Sequence, residues 1–370
     1  MTVYIIMVFL VLLIGRINIS FRFGDRPIGN RIRLANGDNY EHRLKYWLWF
    51  IILTLVSGLR GENVGTDTRG YLMNFKAYNG FGSGNTNQEL LFSMLNRAIG
   101  YFTTNPQWLL IICSAIFNAC VLYFIRNNSE RTSLSVFYFV ALYYYFLAMN
   151  GMRQFLAIGF VLIATEFAKK RRIKPFLLFM AIAFGFHKSS IVGIVMWFIY
   201  KPKATVKRMV AIAIAMIGMI LTFASVQGFV AKYFENYSAL ISGRIEYSSG
   251  KMMPIIYSFI FLASAFVAFV DKEWREKNEN MSLLCISEIA MLWGISPLIL
   301  TSISTNIAQR IGWPFQIYSM VLIPNLLSSR VFKKNKALYV LLFIVIGFMH
   351  LVYFLLKGWH RVVPYYFCFN

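Results

Sequence analysis

The chain alternates long apolar stretches with short polar ones, and runs such as "WLWFIILTLV" (47–56) and "LYVLLFIVIGFMHLVYFLL" (338–356) are apolar on every face. Backbone in hydrocarbon must satisfy its own hydrogen bonds, which leaves helices or a closed barrel, and these runs lack the two-residue alternation of a barrel strand. The pattern therefore predicts an all-α, polytopic integral membrane protein. About twelve transmembrane segments are expected, at 2–15, 45–59, 105–125, 133–150, 153–168, 175–187, 188–200, 209–228, 254–270, 281–300, 312–328 and 337–356. The stretches 175–187 and 188–200 each fall short of the ~20 residues of a perpendicular span. They read either as one long tilted helix or as a hairpin of two short helices meeting in the membrane.

Composition agrees with this solvent: 58% of residues are hydrophobic and 14% charged, where a soluble domain carries about 25% charge. Charge also decides the hairpin. Six blocks, 16–45, 126–131, "KKRRIK" (169–174), "KPKATVKR" (201–208), 271–280 and 330–336, hold 25 of the 37 lysines and arginines, as cytoplasmic loops should. A continuous helix over 175–200 would put "KKRRIK" and "KPKATVKR" on opposite sides, so the hairpin is preferred, with "FHKSS" (186–190) at its tip. Both termini then face out. The net charge of +22 is accounted for by inner-face anchoring and comes without a nucleic-acid motif. Met1 to Ile14 lacks a basic start and a small-residue exit, and reads as a first helix rather than a signal peptide. The whole of 1–370 reads as one membrane domain without an internal repeat, and Cys113, Cys120, Cys285 and Cys368 have no metal-ligand spacing.

The polar groups left over gather outside. "SGLRGENVGTDTRGYL" (57–72) follows the second apolar segment and joins Arg153, His187, Arg244 and Arg310 on the outer face. The outer stretches 60–104, 229–253 and 301–311 form the expected substrate site. Each residue has a plain reading beside the functional one. Arg60 closes a helix, where a cation suits the dipole. Asp67, or Thr66, would cap a helix on which Tyr71, Leu72, Phe75 and Tyr78 share a face. Arg153 sits in the first turn of a helix that Asn150 would cap. A cation there opposes the dipole, unless an anion such as phosphate lies against both the guanidinium and the free N–H groups. Arg310, with Pro314 expected in the first turn of its helix, invites the same argument. His187 is a polar group at membrane depth, and Arg244 lies in a long loop where solvation is its plain reading. Glu166 and Glu288 lie near inner helix ends and do not suggest a proton path. "GFGSG" (80–84) lacks a P-loop lysine.

"GLRGENVGTDTRGYLMNF", "NGMRQFLAIGF", "AFGFHKSS" and "QRIGWPFQIYSMVLIP", in this order, resemble the Wzy-type polysaccharide polymerases of the EpsG-like branch. The shared elements are a G-x-R-x-x-x-G-x-D-x-x-x-Y stretch, an (R/M)-R-Q helix start, a Phe-His pair and a late arginine. The likeness runs from about residue 55 to the closing "VVPYYFCF", with Arg60 one residue further from Gly65 than the pattern has it. The resemblance implies a GT-C-like membrane fold and a glycosyltransferase of the bacterial inner membrane. Its partners would be undecaprenyl-pyrophosphate-linked oligosaccharides, membrane lipids and a chain-length regulator, with neither cofactor nor metal. A growing glycan would pass from undecaprenyl pyrophosphate to the non-reducing end of a lipid-linked repeat unit; inversion is expected from the mechanism of a single displacement, not from the likeness. It implies Asp67, His187, Arg153 and Arg310 as catalytic, with Arg60, Arg69, Tyr71, Gln154 and Arg244 binding pyrophosphate or glycan. Guanidinium suits this task because its planar fork holds phosphate bidentately, and Asp67 or His187 would serve as base. An O-antigen ligase or a lipid-linked oligosaccharide flippase are the alternatives.

Overall fold

The computed structural model describes residues 1–16, 40–200, 206–233, 252–299 and 305–369. Among these it is 81% helical, with no strand. The first helices are α1 (Thr2–Arg16), α2 (Tyr40–Gly58), α3 (Thr68–Tyr78), α4 (Leu90–Phe102), α5 (Gln107–Asn128), α6 (Thr132–Ala141), α7 (Tyr144–Asn150), α8 (Met152–Lys169) and α9 (Ile173–Phe186). A 3-10 segment, Lys188–Val195, leads into α10 (Met196–Ile199). Then come α11 (Val206–Tyr233), α12 (Met252–Val270), α13 (Lys272–Glu276), α14 (Asn278–Ile299), α15 (Thr305–Gln316), α16 (Ser319–Leu326) and α17 (Lys336–Leu356).

Among the described residues three helices, α5, α14 and α17, are long and apolar enough to cross a membrane, and α6 with α7 make a fourth span if their bent pair is taken as one. Five shorter apolar helices accompany them. The apolar stretches of the sequence thus reappear as helices, but their lengths do not establish twelve spans. The stretch 60–104 contains α3, the helix expected to carry Tyr71, Leu72, Phe75 and Tyr78, and also α4, which the sequence reading did not anticipate. The expected single helix over 312–328 is broken between α15 and α16, with Pro314 inside α15 rather than in a first turn.

The core centres on "VFYFVALYYYF" (136–146), almost wholly buried. A 50° bend separates α6 from α7, at Tyr143, whose φ is +73°. The tyrosine hydroxyls here bind other elements: Tyr138 donates to the Phe343 carbonyl at 2.7 Å, Tyr143 to that of Trp359 at 2.8 Å and Tyr145 to that of Leu53 at 2.7 Å. A hydroxyl buried in an apolar core is costly unless it is bonded, so these bonds fix the register of α6 and α7 against α2 and α17. Helices α2, α5, α8 and α9 pack in series on one flank, and α11, α12 and α15 pack around α14 on another. At Gly58 a Cβ would come within 2.9 Å of the Ile111 Cα, so glycine is what allows α2 and α5 to approach so closely.

The two ends of the bundle differ. At one end, Lys169 pairs with Glu279 at 3.4 Å, Lys277 with Glu130 at 2.7 Å, and Arg330 with Glu273. This basic end gathers the 126–131, 169–174, 271–280 and 330–336 blocks. The other end holds both chain termini, since the Tyr4 hydroxyl donates to the Val362 carbonyl at 2.9 Å. It also holds the start of α8 and the joint after α9.

That joint makes a hairpin. The Phe176 and Trp197 rings lie 5.2 Å apart, Arg171 donates to the Trp197 carbonyl at 2.7 Å, and its guanidinium covers the Trp197 ring at 3.9 Å. The chain therefore leaves the basic end along α9, turns at His187 and returns. In a protein whose native cysteines are replaced by serine, Lys170→Cys and Phe198→Cys are expected to react with an impermeant maleimide from the same side of sealed vesicles, and Lys188→Cys from the other. Labelling of positions 170 and 198 from opposite sides would contradict the hairpin.

Candidate functional site

The site begins where α2 stops. Beyond Gly58 the chain enters a tight loop around Arg60, which is 1% exposed. Its guanidinium donates to the Thr68 hydroxyl at 3.1 Å and to the Ser57 and Met149 carbonyls at 2.5 and 2.9 Å. One side chain thus ties the end of α2 to the start of α3 and the end of α7. The C-terminal tail clasps the same loop: Gly61 N–H donates to the Tyr366 carbonyl, Gly65 N–H to that of Arg361 and Cys368 N–H to that of Leu59, at 2.8, 2.9 and 2.9 Å. Gly65 has φ +98°, and a Cβ there would meet the Thr68 hydroxyl at 2.9 Å, so the loop needs glycine at this point.

Asn150 completes the loop. Its side-chain oxygen accepts from the backbone and hydroxyl of Thr66 at 2.7 and 2.9 Å. This corrects the expected cap, because the N-cap position of α8 is Gly151, with no side-chain capping bond. Asp67 does occupy the N-cap position of α3, yet its side chain makes no capping bond either. The carboxylate is left for other work.

A cleft of about 440 Å³, counting the part open to solvent, lies over this loop, bounded by Asp67, Asn150, Gln309, Arg310, Trp313, Trp359 and His360. Arg310 is not at a helix start, as the sequence suggested, but in the middle of α15. Among the described residues its guanidinium has neither a hydrogen-bond nor an ion-pair partner, although its charge bears on Asp67, His187 and His360. Crowding by the surrounding protein raises the Asp67 carboxyl, while Thr66, Arg310 and Arg153 pull the other way. Burial, with Arg310 nearby, lowers the His360 imidazole to about 4.

Beside the cleft stands a second cationic group. Arg153 pairs with Glu89 at 2.5 Å and lies against the Tyr71 hydroxyl, and the other Glu89 oxygen meets Nδ1 of His187 at 2.7 Å. Burial works to raise the Glu89 carboxyl, but the His187 hydrogen bond and the Arg153 charge outweigh it and hold it at about 2. Burial lowers the His187 imidazole, and Arg153 and Arg310 add to this against the pull of Glu89. The arrangement fits a neutral imidazole that donates Nδ1–H to an ionised carboxylate, leaving Nε2 as acceptor. Gln154 links the two parts, donating to the Arg310 carbonyl at 2.6 Å and to the Ser189 hydroxyl at 3.2 Å.

With this geometry in view, the family model described as EpsG family matches residues 44–367. The chain belongs to the EpsG family. No curated protein and no solved structure matches it. The family suggests a polysaccharide polymerase-like role with glycosyltransferase-like chemistry, and the apolar helices fit a membrane protein.

Of the residues singled out in this EpsG-family sequence, Asp67, Arg153, Gln154, His187 and Arg310 share one region, and Tyr71 supports Arg153. Arg60, expected to bind pyrophosphate or glycan, donates from each of its three nitrogens to protein groups and ties the loop together. Arg69 projects from the exposed face of α3. Arg244, with most of 229–253 and the start of 301–311, lies outside the described residues. Glu89, Asn150 and His360 were not among the candidates. An acid is scarce in 60–104, where Glu89 joins only Glu62 and Asp67, and that scarcity was the available signal.

Arg60→Ala would leave the Ser57 and Met149 carbonyls without their partner, and is expected to cost on the order of 3 kcal/mol. Arg310→Ala should stay within about 0.5 kcal/mol of wild type, as a substitution that breaks no hydrogen bond or ion pair among the described residues does. Thermal unfolding in detergent separates the two. Equal loss in both variants would contradict the assignment of strut and free cation.

Proposed function

We propose that this protein is a polysaccharide polymerase acting at the outer face of a bacterial inner membrane, where it transfers a growing glycan from undecaprenyl pyrophosphate to the non-reducing end of a lipid-linked repeat unit. The observation that carries this reading is the Arg310 guanidinium, without a hydrogen-bond or ion-pair partner among the described residues, in a cleft lined in part by Trp313 and Trp359. Such a cation, beside aromatic rings and amides, suits an anionic lipid headgroup bearing sugars. Phosphate is held bidentately by such a fork, and tryptophan gives a sugar ring an apolar face with a polar edge.

In the proposed reaction the acceptor hydroxyl loses its proton to Nε2 of His187 as its oxygen bonds to the donor's anomeric carbon. The bond from that carbon to the pyrophosphate oxygen breaks, and the electron pair leaves with the pyrophosphate. Arg310 and Arg153 stand where that negative charge grows, which is where fixed donors contribute most. Asp67, at the mouth of the cleft, accepts hydrogen bonds from the incoming sugar. A single displacement of this kind inverts the anomeric centre, and the guanidinium groups carry the leaving-group charge without a metal ion. In this reading the cleft end faces out and the basic end faces the cytoplasm, which follows the rule for lysine and arginine in loops.

Purified protein in liposomes, given undecaprenyl-pyrophosphate repeat units from its host, is expected to produce a glycolipid ladder stepping by one repeat. Arg310→Ala is expected to slow the ladder about 10²- to 10³-fold, by analogy with the loss of one fixed donor. Transfer of labelled lipid between leaflets with no ladder would replace the polymerase by a flippase. A ladder undiminished in Arg310→Ala would remove that residue from the chemistry.

A further inference from the structure

Glu89 holds two of the proposed working residues at once. Its partners come from different elements, Arg153 from the first turn of α8 and His187 from the joint after α9, and the carboxylate at the start of α4 contacts both, at 2.5 and 2.7 Å. The arginine is only partly used: among the described residues its buried Nε has no hydrogen-bond partner, and neither do the buried Gln154 Oε1 and Ser190 hydroxyl nearby. A fork whose Nε makes no bond among the described residues, beside other polar atoms in the same state, is open to a second anion with more oxygens. The charged groups facing His187 are Glu89 from α4, Arg153 from α8 and Arg310 from α15.

We infer that Glu89 is a positioning residue that couples donor binding to the His187 base, holding the place of a donor phosphate on Arg153 until the lipid pyrophosphate arrives. This rests on the polymerase reading above. The coupling follows from charge. While Arg153 is paired only with Glu89, it cancels much of the carboxylate's effect on the imidazole. When a phosphate oxygen shares the Arg153 fork, more of the Glu89 charge acts on His187 and makes Nε2 a stronger acceptor for the hydroxyl proton. An imidazole oriented and polarised through its other nitrogen by a carboxylate is a recurrent arrangement for such a base. Water that enters an empty site then meets a weaker base than the acceptor sugar meets in a filled one.

Glu89→Gln keeps the shape and removes the charge, and two readouts should move in opposite senses. Binding of undecaprenyl pyrophosphate carrying no sugar should tighten about 5-fold or more, the lower end of ordinary coupling between sites, because Arg153 no longer has a competing anion. Maximal polymerisation rate should fall about 100-fold, as for loss of an effective base. The acid limb of the rate profile should also move down by about 1 pH unit or more. The sign follows from the imidazole: neutral His187 is the active form, rate rises with pH through its titration, and loss of the neighbouring negative charge makes it harder to protonate.

A merely structural glutamate would weaken lipid binding and rate together and leave the limb in place, and that result overturns the proposal, as does a variant indistinguishable from wild type. Should Glu89→Gln fail to insert, Glu89→Asp keeps the charge but is one methylene too short to span both partners. It is expected to move either lipid binding or the acid limb, and movement of neither overturns the proposal. The wild-type protein is the control that separates the two readings. If it makes no ladder the polymerase fails, and if it makes one, the variants decide on Glu89 alone.

Discussion

A guanidinium buried without a carboxylate partner is an expensive thing to put in a membrane protein, and Arg60 is one. No acid among the described residues pairs with it; its charge is met by the Thr68 hydroxyl and the Ser57 and Met149 carbonyls. Burying such a group is costly unless it is hydrogen-bonded, so the three bonds it makes hold the chain segments they touch against one another. The consequences run outward. The end of α2, the start of α3 and the end of α7 are fixed together, the tail pairs onto the loop they form, and Thr66 is fastened to Asn150. The cleft that contains Asp67 and Arg310 inherits its shape from this knot.

Three arginines near one another have three different fates, and the difference is where function enters. Arg60 donates to protein from each of its three nitrogens and is almost wholly withdrawn from solvent. Arg153 is balanced by Glu89 and shares that acid with His187. Arg310 has its backbone anchored through Gln154 while its guanidinium lacks a partner among the described residues. Residue type alone does not separate them; pairing and desolvation do. The same logic applies to the carboxylates, with Glu89 held ionised by its neighbours and Asp67 pushed toward the neutral form by crowding.

Much of the fold was legible because membrane solvent imposes a simple rule, and apolar stretches became helices close to the expected bounds. The hairpin at His187 was legible for the same reason, through the placement of basic blocks on one side. What failed depended on contacts distant in sequence. Arg310 was expected at a helix start because Pro314 favours a first turn, but α15 begins earlier and accommodates the proline inside. Asn150 has the composition of a cap, yet Thr66, far away in the chain, takes its oxygen. Glu89 lies in a polar stretch with no periodicity to mark it, and its meaning appears only when α4 brings it between α8 and the hairpin. The tail residues Trp359 and His360 enter the cleft because the last helix returns to the same end as the first, which local pattern does not encode.

The chemistry proposed for Arg310 and Arg153 depends on where the lipid pyrophosphate sits. The most direct measurement is an electron cryo-microscopy structure of the protein in lipid nanodiscs with undecaprenyl pyrophosphate bound. The account predicts phosphate density within hydrogen-bond distance of the Arg310 and Arg153 guanidinium groups, above the loop that Arg60 holds, with Glu89 still on His187. Pyrophosphate seated instead at the basic end of the bundle, among the 169–174 and 330–336 blocks, would contradict it.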